Sequence, residues 1–172
     1  MKTTFYFVLL IGLSVLASSC QDDDETPAPS TNDISITFPA TWEVINNESG
    51  VIRVIGRSPL DGNSDIFSEN VVITEEPAAG TSLETYYEAS LVGLRSFNGF
   101  EALEEEDVVI DGVNTKRITF LATFNNLDLK YLTYILVHKD IGYTITCTAL
   151  EDDFDAFKST FEGIANTFKV PE

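Results

Sequence analysis

Apolar and polar residues alternate along most of this chain, and the pattern switches to helical spacing twice. Ile34, Ile36 and Phe38 alternate with polar neighbours as in a half-buried strand that stops at Pro39, and Trp42 and Val44 follow a short turn. Residues 51–57 form a second strand-like run, closed by Ser58-Pro59 and the loop Asp61-Gly62-Asn63-Ser64-Asp65. Residues 70–76, with β-branched Val71, Val72 and Ile73, predict a third strand stopped at Pro77. The first switch comes at Thr81, which forms a capping-box signal with Glu84. Leu83, Tyr87, Leu91 and Leu94 then recur at helical spacing to about Phe97, with Asn98-Gly99 as the stop. Strand character returns over residues 100–106, and residues 108–110 lead through an Asp111-Gly112 turn into a long strand over 113–124. Asn125-Asn126 turns the chain into residues 127–138, and residues 139–142 turn it into 143–150, so three consecutive hairpins make an antiparallel meander. At the second switch Phe154, Phe157, Phe161, Ile164 and Phe168 follow at steps of 3, 4, 3 and 4, on one face of a closing helix.

The segment Leu132-Thr133-Tyr134-Ile135-Leu136-Val137 decides the architecture. It is apolar on both faces, whereas a sheet with one wet face alternates cleanly, so cover is needed on both sides. The expected fold is α+β, an antiparallel β-sheet flanked by helices in an α/β/α sandwich.

The beginning of the chain has a different character. Lys2 precedes an apolar run over residues 5–16, and Ala17 and Ser19 are the small residues that a signal peptidase requires. The run is shorter than the about 20 residues needed to span a bilayer, so residues 1–19 are expected to be removed. Residues 21–32 are acids, Pro, Ser and Thr with no apolar side chain larger than Ala28, a composition that cannot bury enough surface to offset ordering. The expected organisation is a signal peptide over 1–19, a flexible tether over 20–33 and a globular domain over 34–172. The junction Ala17-Ser18-Ser19-Cys20 resembles a bacterial lipobox, although Ala17 stands where that pattern usually has Leu. The resemblance implies a diacylglycerol on the Cys20 sulfur and a further acyl chain, such as palmitate, on its amine. In the alternative, an ordinary peptidase leaves Cys20 free to pair with Cys147. The acidic run Gln21-Asp22-Asp23-Asp24-Glu25 resembles the export signal of Bacteroidota lipoproteins, which implies lipid anchoring in the outer membrane, the cell surface being favoured over the periplasmic face.

Charge narrows the partners. The chain has 10 Lys and Arg against 28 Asp and Glu, and Lys2 is the one charge lost with the signal segment. Such an acid excess repels nucleic acid, whose binding depends on clustered Lys and Arg. Cys147 lies on the same side of its strand as Tyr143 and Ile145, the place of a small buried apolar side chain.

No constellation in the sequence reads as a catalytic centre. Asp61, Asn63 and Asp65 stand at positions 1, 3 and 5 of a weak calcium loop, with Glu69 at position 9, but Ile66 and Val72 occupy positions 6 and 12, where an EF-hand needs Gly and a bidentate acid. The loop is therefore expected to be a solvated turn, with no metal. His138 is the one histidine, beside Lys139 and Asp140, with no nucleophile elbow elsewhere in the chain. Glu104-Glu105-Glu106-Asp107 supplies carboxylates, but consecutive acids in a strand point to opposite sides. Glycosidase chemistry holds two across a cleft, so these read as a solvated, aggregation-blocking edge. No Gly-rich phosphate loop occurs, and no cofactor is expected.

Ile36-Thr37-Phe38-Pro39 with Trp42, Phe67-Ser68-Glu69-Asn70-Val71-Val72-Ile73, the helix start Ser82-Leu83-Glu84-Thr85-Tyr86, the Ile110-Asp111-Gly112 turn and the closing helix ending at Phe168 occur in an order similar to that of the PsbP-like family. The bacterial branch, with its DcrB-like lipoproteins, is the part it resembles. The likeness covers about residues 33–170. It implies an α/β/α sandwich and a non-catalytic accessory role, because the photosynthetic members support an assembly; it brings no shared active site, and the photosystem role does not transfer. The expected function is therefore that of a cell-envelope lipoprotein binding a protein partner in an envelope or surface assembly. The exposed face of the 83–97 helix and the loop at Asp61 to Asp65 are its candidate surfaces. The rival readings are a small-ligand carrier and a hydrolase of envelope or extracellular polymer, either of which needs a pocket lined by convergent polar groups.

Overall fold

The computed structural model describes residues 34–47, 50–62 and 65–172. Strands β1 (Glu43–Asn46), β2 (Ile52–Arg57) and β3 (Asn70–Pro77) precede helix α1 (Leu83–Leu94). Strands β4 (Glu101–Ile110), β5 (Val113–Phe124), β6 (Leu127–His138) and β7 (Ile141–Leu150) follow, and helix α2 (Phe154–Asn166) comes last. All seven strands join one sheet in the order β1-β2-β3-β7-β6-β5-β4, every pair antiparallel. Helix α1 carries the chain from β3 to the far edge, and the meander then walks back until β7 pairs with β3. This is the α+β sandwich that the apolar pattern implies, with α1 packed on β5 and β6 from one side and α2 on β6 and β7 from the other.

The meander forms because its turns are cheap. Asp111-Gly112 (φ 51° and 77°), Asn125-Asn126 (49° and 64°) and Lys139-Asp140 (48° and 64°) each place two left-handed residues between strands, the type I′ arrangement whose twist matches that of the flanking strands. The third turn is tighter than residues 139–142, since β7 already begins at Ile141. Gly142 belongs to the strand because the Tyr86 ring lies directly on it; a Cβ there would come within 2.3 Å of that ring.

Strand periodicity delivers two cores. Val71, Ile73, Leu132, Tyr134, Ile145 and Cys147 point to the α2 side, where Phe154, Phe161, Ile164 and Phe168 meet them, and Phe157 stands at the margin. Ile118, Phe120, Tyr131 and Ile135 point to the α1 side against Tyr86, Leu91 and Leu94. The Phe120 and Tyr131 rings stack there with centroids 4.6 Å apart. Both faces of β6 are buried, as residues 132–137 require.

Several local expectations change. Ile34, Ile36 and Phe38 are half-buried, with Ser35 and Thr37 exposed between them, yet the segment is tied down by the isolated bridge Ser35 to Lys169 and by Thr37 N–H to Thr167 Oγ1 at 2.8 Å and is not a strand of the sheet. Residues 101–110 form one continuous strand. The capping residue of α1 is Ser82, whose Oγ accepts from Thr85 N at 3.2 Å. Glu84 does not close a box with Thr81 but reaches Lys116 at 3.1 Å. The helix ends at Leu94, three residues before Phe97, as Arg95 N–H still bonds back to Leu91 O and the next turn tightens.

Candidate functional site

The expected signal peptide and tether over residues 1–33, with Cys20, Gln21, Asp22, Asp23, Asp24 and Glu25, and Asn63 lie outside the described residues. Of the Asp61 loop, the described part is organised by Asp65. Its Oδ2 accepts from Asp61 N at 2.7 Å and its Oδ1 from Phe67 N at 3.0 Å. Those backbone N–H bonds hold its carboxyl below the ordinary range. Both oxygens are thus engaged in shaping a turn. Among the described residues no three His, Cys, Asp or Glu side chains gather where an ion could sit. His138 Nε2 lies 3.2 Å from Pro171 O, a contact that ties the C-terminus to β6.

Several polar side chains against the sheet are paired, while Thr133 Oγ1, Arg57 Nε and Arg117 Nε are buried without a hydrogen-bond partner. Arg117 on β5 pairs with Glu106 of β4 and Glu162 of α2, and burial raises Tyr134 beside it to about 12. Ser58 Oγ donates to the buried Glu69 at 2.7 Å. Cys147 is completely buried, and loss of hydration pushes its thiol far above the ordinary range, which keeps it protonated and inert. Tyr86, raised to about 12 chiefly by burial, shares its hydroxyl with Thr144 and Glu76.

Glu76 gives a pH test. Desolvation raises its carboxyl above 4.5, against the opposing Tyr86 hydrogen bond. A carboxyl raised in the folded state binds its proton more tightly there than in the unfolded chain, so its contribution to stability is greatest when it is protonated and falls as pH rises through the folded value. Glu76→Gln keeps an acceptor for Tyr86 and removes the half-buried charge. In urea titrations the variant should match or exceed the native protein at pH 7, and the difference should close in favour of the native chain as pH falls toward 4. A constant deficit at every pH would show that the carboxylate supports the fold.

The acids of β4 divide as consecutive strand residues must. Glu105 turns to the α1 side and accepts from Tyr87 Oη at 2.6 Å, while Glu106 turns to the α2 side and pairs with Arg117. Burial, followed by the Glu105 hydrogen bond, pushes the Tyr87 phenol up. Lys116 lies between Asp107 at 2.8 Å and Glu84 at 3.1 Å, with its ammonium 5.8 Å from the Tyr87 ring centre. These groups border an open groove of about 500 Å³ between the first turn of α1 and the outer edge of β4, with Leu83 and Val109 as its apolar walls. In the sequence β4 reads only as a protective edge. The groove is hidden there because Glu84, Asp107 and Lys116 meet through the crossover from β3 to β4. The exposed side of α1 carries Glu88, Val92 and Arg95.

The family model described as PsbP-like protein matches residues 16–170. The chain belongs to the PsbP-like family. Solved structures agree in fold. LpqN of Mycobacterium tuberculosis, described as involved in cell envelope biogenesis, superposes with a TM-score of 0.67 at 11% identity, over 81% of this chain and 83% of that one. Cyanobacterial PsbP from Synechocystis sp. PCC 6803 gives 0.63 at 16% identity, over 89% and 98%. A Pseudomonas aeruginosa protein of unknown function gives 0.59 at 17%, over 81% and 98%. A comparison with curated protein sequences finds no match. At these identities the likeness is one of fold, and activity has to be argued from this chain's own surface.

Proposed function

We propose that this PsbP-like chain is a lipid-anchored cell-envelope protein that works as a non-catalytic binding or accessory module for an envelope or surface assembly. The observation that carries the reading is the fate of the converging polar groups. Arg117, Glu106 and Glu162 are committed to one another, as are Ser58 with Glu69 and Tyr86 with Glu76 and Thr144, and the Cys147 thiol is buried. A catalytic site needs a nucleophile or acid-base pair held open to substrate, whereas the α1 groove holds Glu84 and Asp107 already paired with Lys116. The involvement of LpqN in cell envelope biogenesis supports the setting. Membrane attachment through Cys20 rests on the lipobox-like junction, and outer-membrane display on the acidic run after it.

Cross-linking of the native protein in its own cells, followed by mass spectrometry, should return a reproducible protein neighbour. Recovery of none, at cross-linking yields that capture known envelope contacts, would overturn the accessory-module reading.

A further inference from the structure

We infer that the outer edge of β4 is a strand-addition site for a basic, extended segment of another protein, with the α1 groove receiving its alternate side chains. The backbone geometry comes first. Ile110 and Val113 close a two-residue hairpin over Asp111-Gly112, so they form the hydrogen-bonded pair next to the turn. Alternation along the ladder then aims the N–H and C=O groups of Val109, Asp107 and Glu105 away from β5. The register holds without interruption from Ile110 to Glu104, and the irregularity at Ala102/Glu104 ends it. This edge is longer than the opposite one, with 10 residues in β4 against 4 in β1.

Side chains make the second case. Val109, Asp107 and Glu105 point to the α1 side, where Glu84 and Asp107 flank the groove and Lys116 lies between them. Val109 is 61% exposed and adds an apolar wall. In strand addition the main-chain bonds supply affinity, and pockets that take every second side chain supply selection. A second copy of this chain is a poor occupant, because pairing two such edges would set carboxylates opposite carboxylates. The same charges attract a strand bearing Lys or Arg at alternate positions, so what blocks self-association selects the partner.

The inference rests on the binding-module reading. Cross-linked neighbours that map to other surfaces, with no engagement of β4, would overturn the edge site and leave that reading standing. The probe is a synthetic peptide of alternating Lys and Val, with an alternating Glu and Val peptide as its counterpart, added to the full chain while amide hydrogen exchange is followed. The Lys peptide should slow exchange at Glu105, Asp107 and Val109 saturably, and the Glu peptide should not. Val109→Pro removes one outward N–H and no bond to β5, and should weaken binding about tenfold. Val109→Lys keeps the N–H and should weaken binding through charge alone, which preserves the test if the proline variant does not fold. Binding without protection of those amides, unchanged binding by both variants, or a dimer in which the amides are already protected would each overturn the proposal.

Discussion

Replacing Phe161 by alanine is expected to lower the unfolding free energy by about 3–5 kcal/mol, the range for deleting a buried aromatic ring. Phe161 is fully buried. Its ring meets Phe154 and Phe157, each at 6.0 Å, and meets Trp42 edge-on at 6.4 Å. Removing it therefore opens the joint between α2, the sheet and the segment before β1. The cost depends on how far that joint can collapse. Helix α2 is held at its start by Phe154 and beyond its end by Phe168, which lies outside the helix in which the apolar stripe places it and packs against Tyr143 at 5.7 Å, so relaxation is restricted. Against a total stability of about 5–15 kcal/mol for a domain of this kind, the change takes the protein close to unfolding at physiological temperature. In urea the midpoint should fall with little change of slope. Phe157→Ala, at the half-buried margin of the same helix, should cost clearly less. A loss below about 1 kcal/mol for Phe161→Ala would mean that α2 does not close the core in the way described.

The stripe that locates Phe161 is legible because a helix with one buried face must repeat its apolar residues every three to four positions. The meander is legible for a similar reason: Asp111-Gly112 and Asn125-Asn126 are residues that accept left-handed backbone between alternating runs. Lys139-Asp140 is a poorer signal, since neither residue is small. The pattern extends that turn too far along the chain because Gly142 looks like a turn residue, and only the Tyr86 ring above it shows why glycine is needed there. The continuity of β4 is hidden by its own acids. An edge strand with seven exposed residues from Glu101 to Asp107 buries too little to show a pattern. The pairing of β3 with β7 is also unreadable locally, because it joins segments far apart in the chain whose only common mark is β-branched composition.

The same distinction governs the candidate surface. That Glu105 and Glu106 face opposite sides follows from strand geometry alone. That one meets Tyr87 and the other Arg117 depends on where α1 and α2 settle on the sheet. In the sequence the loop at Asp61 to Asp65 looks more like a site than β4 does, since its oxygens stand close together. In the fold, Asp65 engages its oxygens with backbone N–H groups, while β4, as an edge strand, keeps outward-facing backbone hydrogen-bonding groups.

Replacing Cys20 by serine is expected to move the protein from the membrane to the soluble fraction. A serine oxygen cannot carry the thioether-linked diacylglycerol, and the anchoring energy lies in the chains, about 0.8 kcal/mol for each buried methylene. One chain holds a protein only marginally and two or three hold it stably, so loss of the sulfur-linked pair should release nearly all of it. Among the described residues no helix is long and apolar enough to cross a membrane. The chain's acid excess is also repelled by anionic headgroups. The matching measurement is the mass of the N-terminal peptide of the native protein, which should begin at Cys20 and carry acyl chains. A peptide that begins at Cys20 without added mass, or a serine variant that is cut at the same place and still sediments with membranes, would overturn the anchor. Cys147→Ser serves as the control. That thiol is buried on the α2 side of β7, so its loss should lower stability and leave the partition between membrane and solution unchanged.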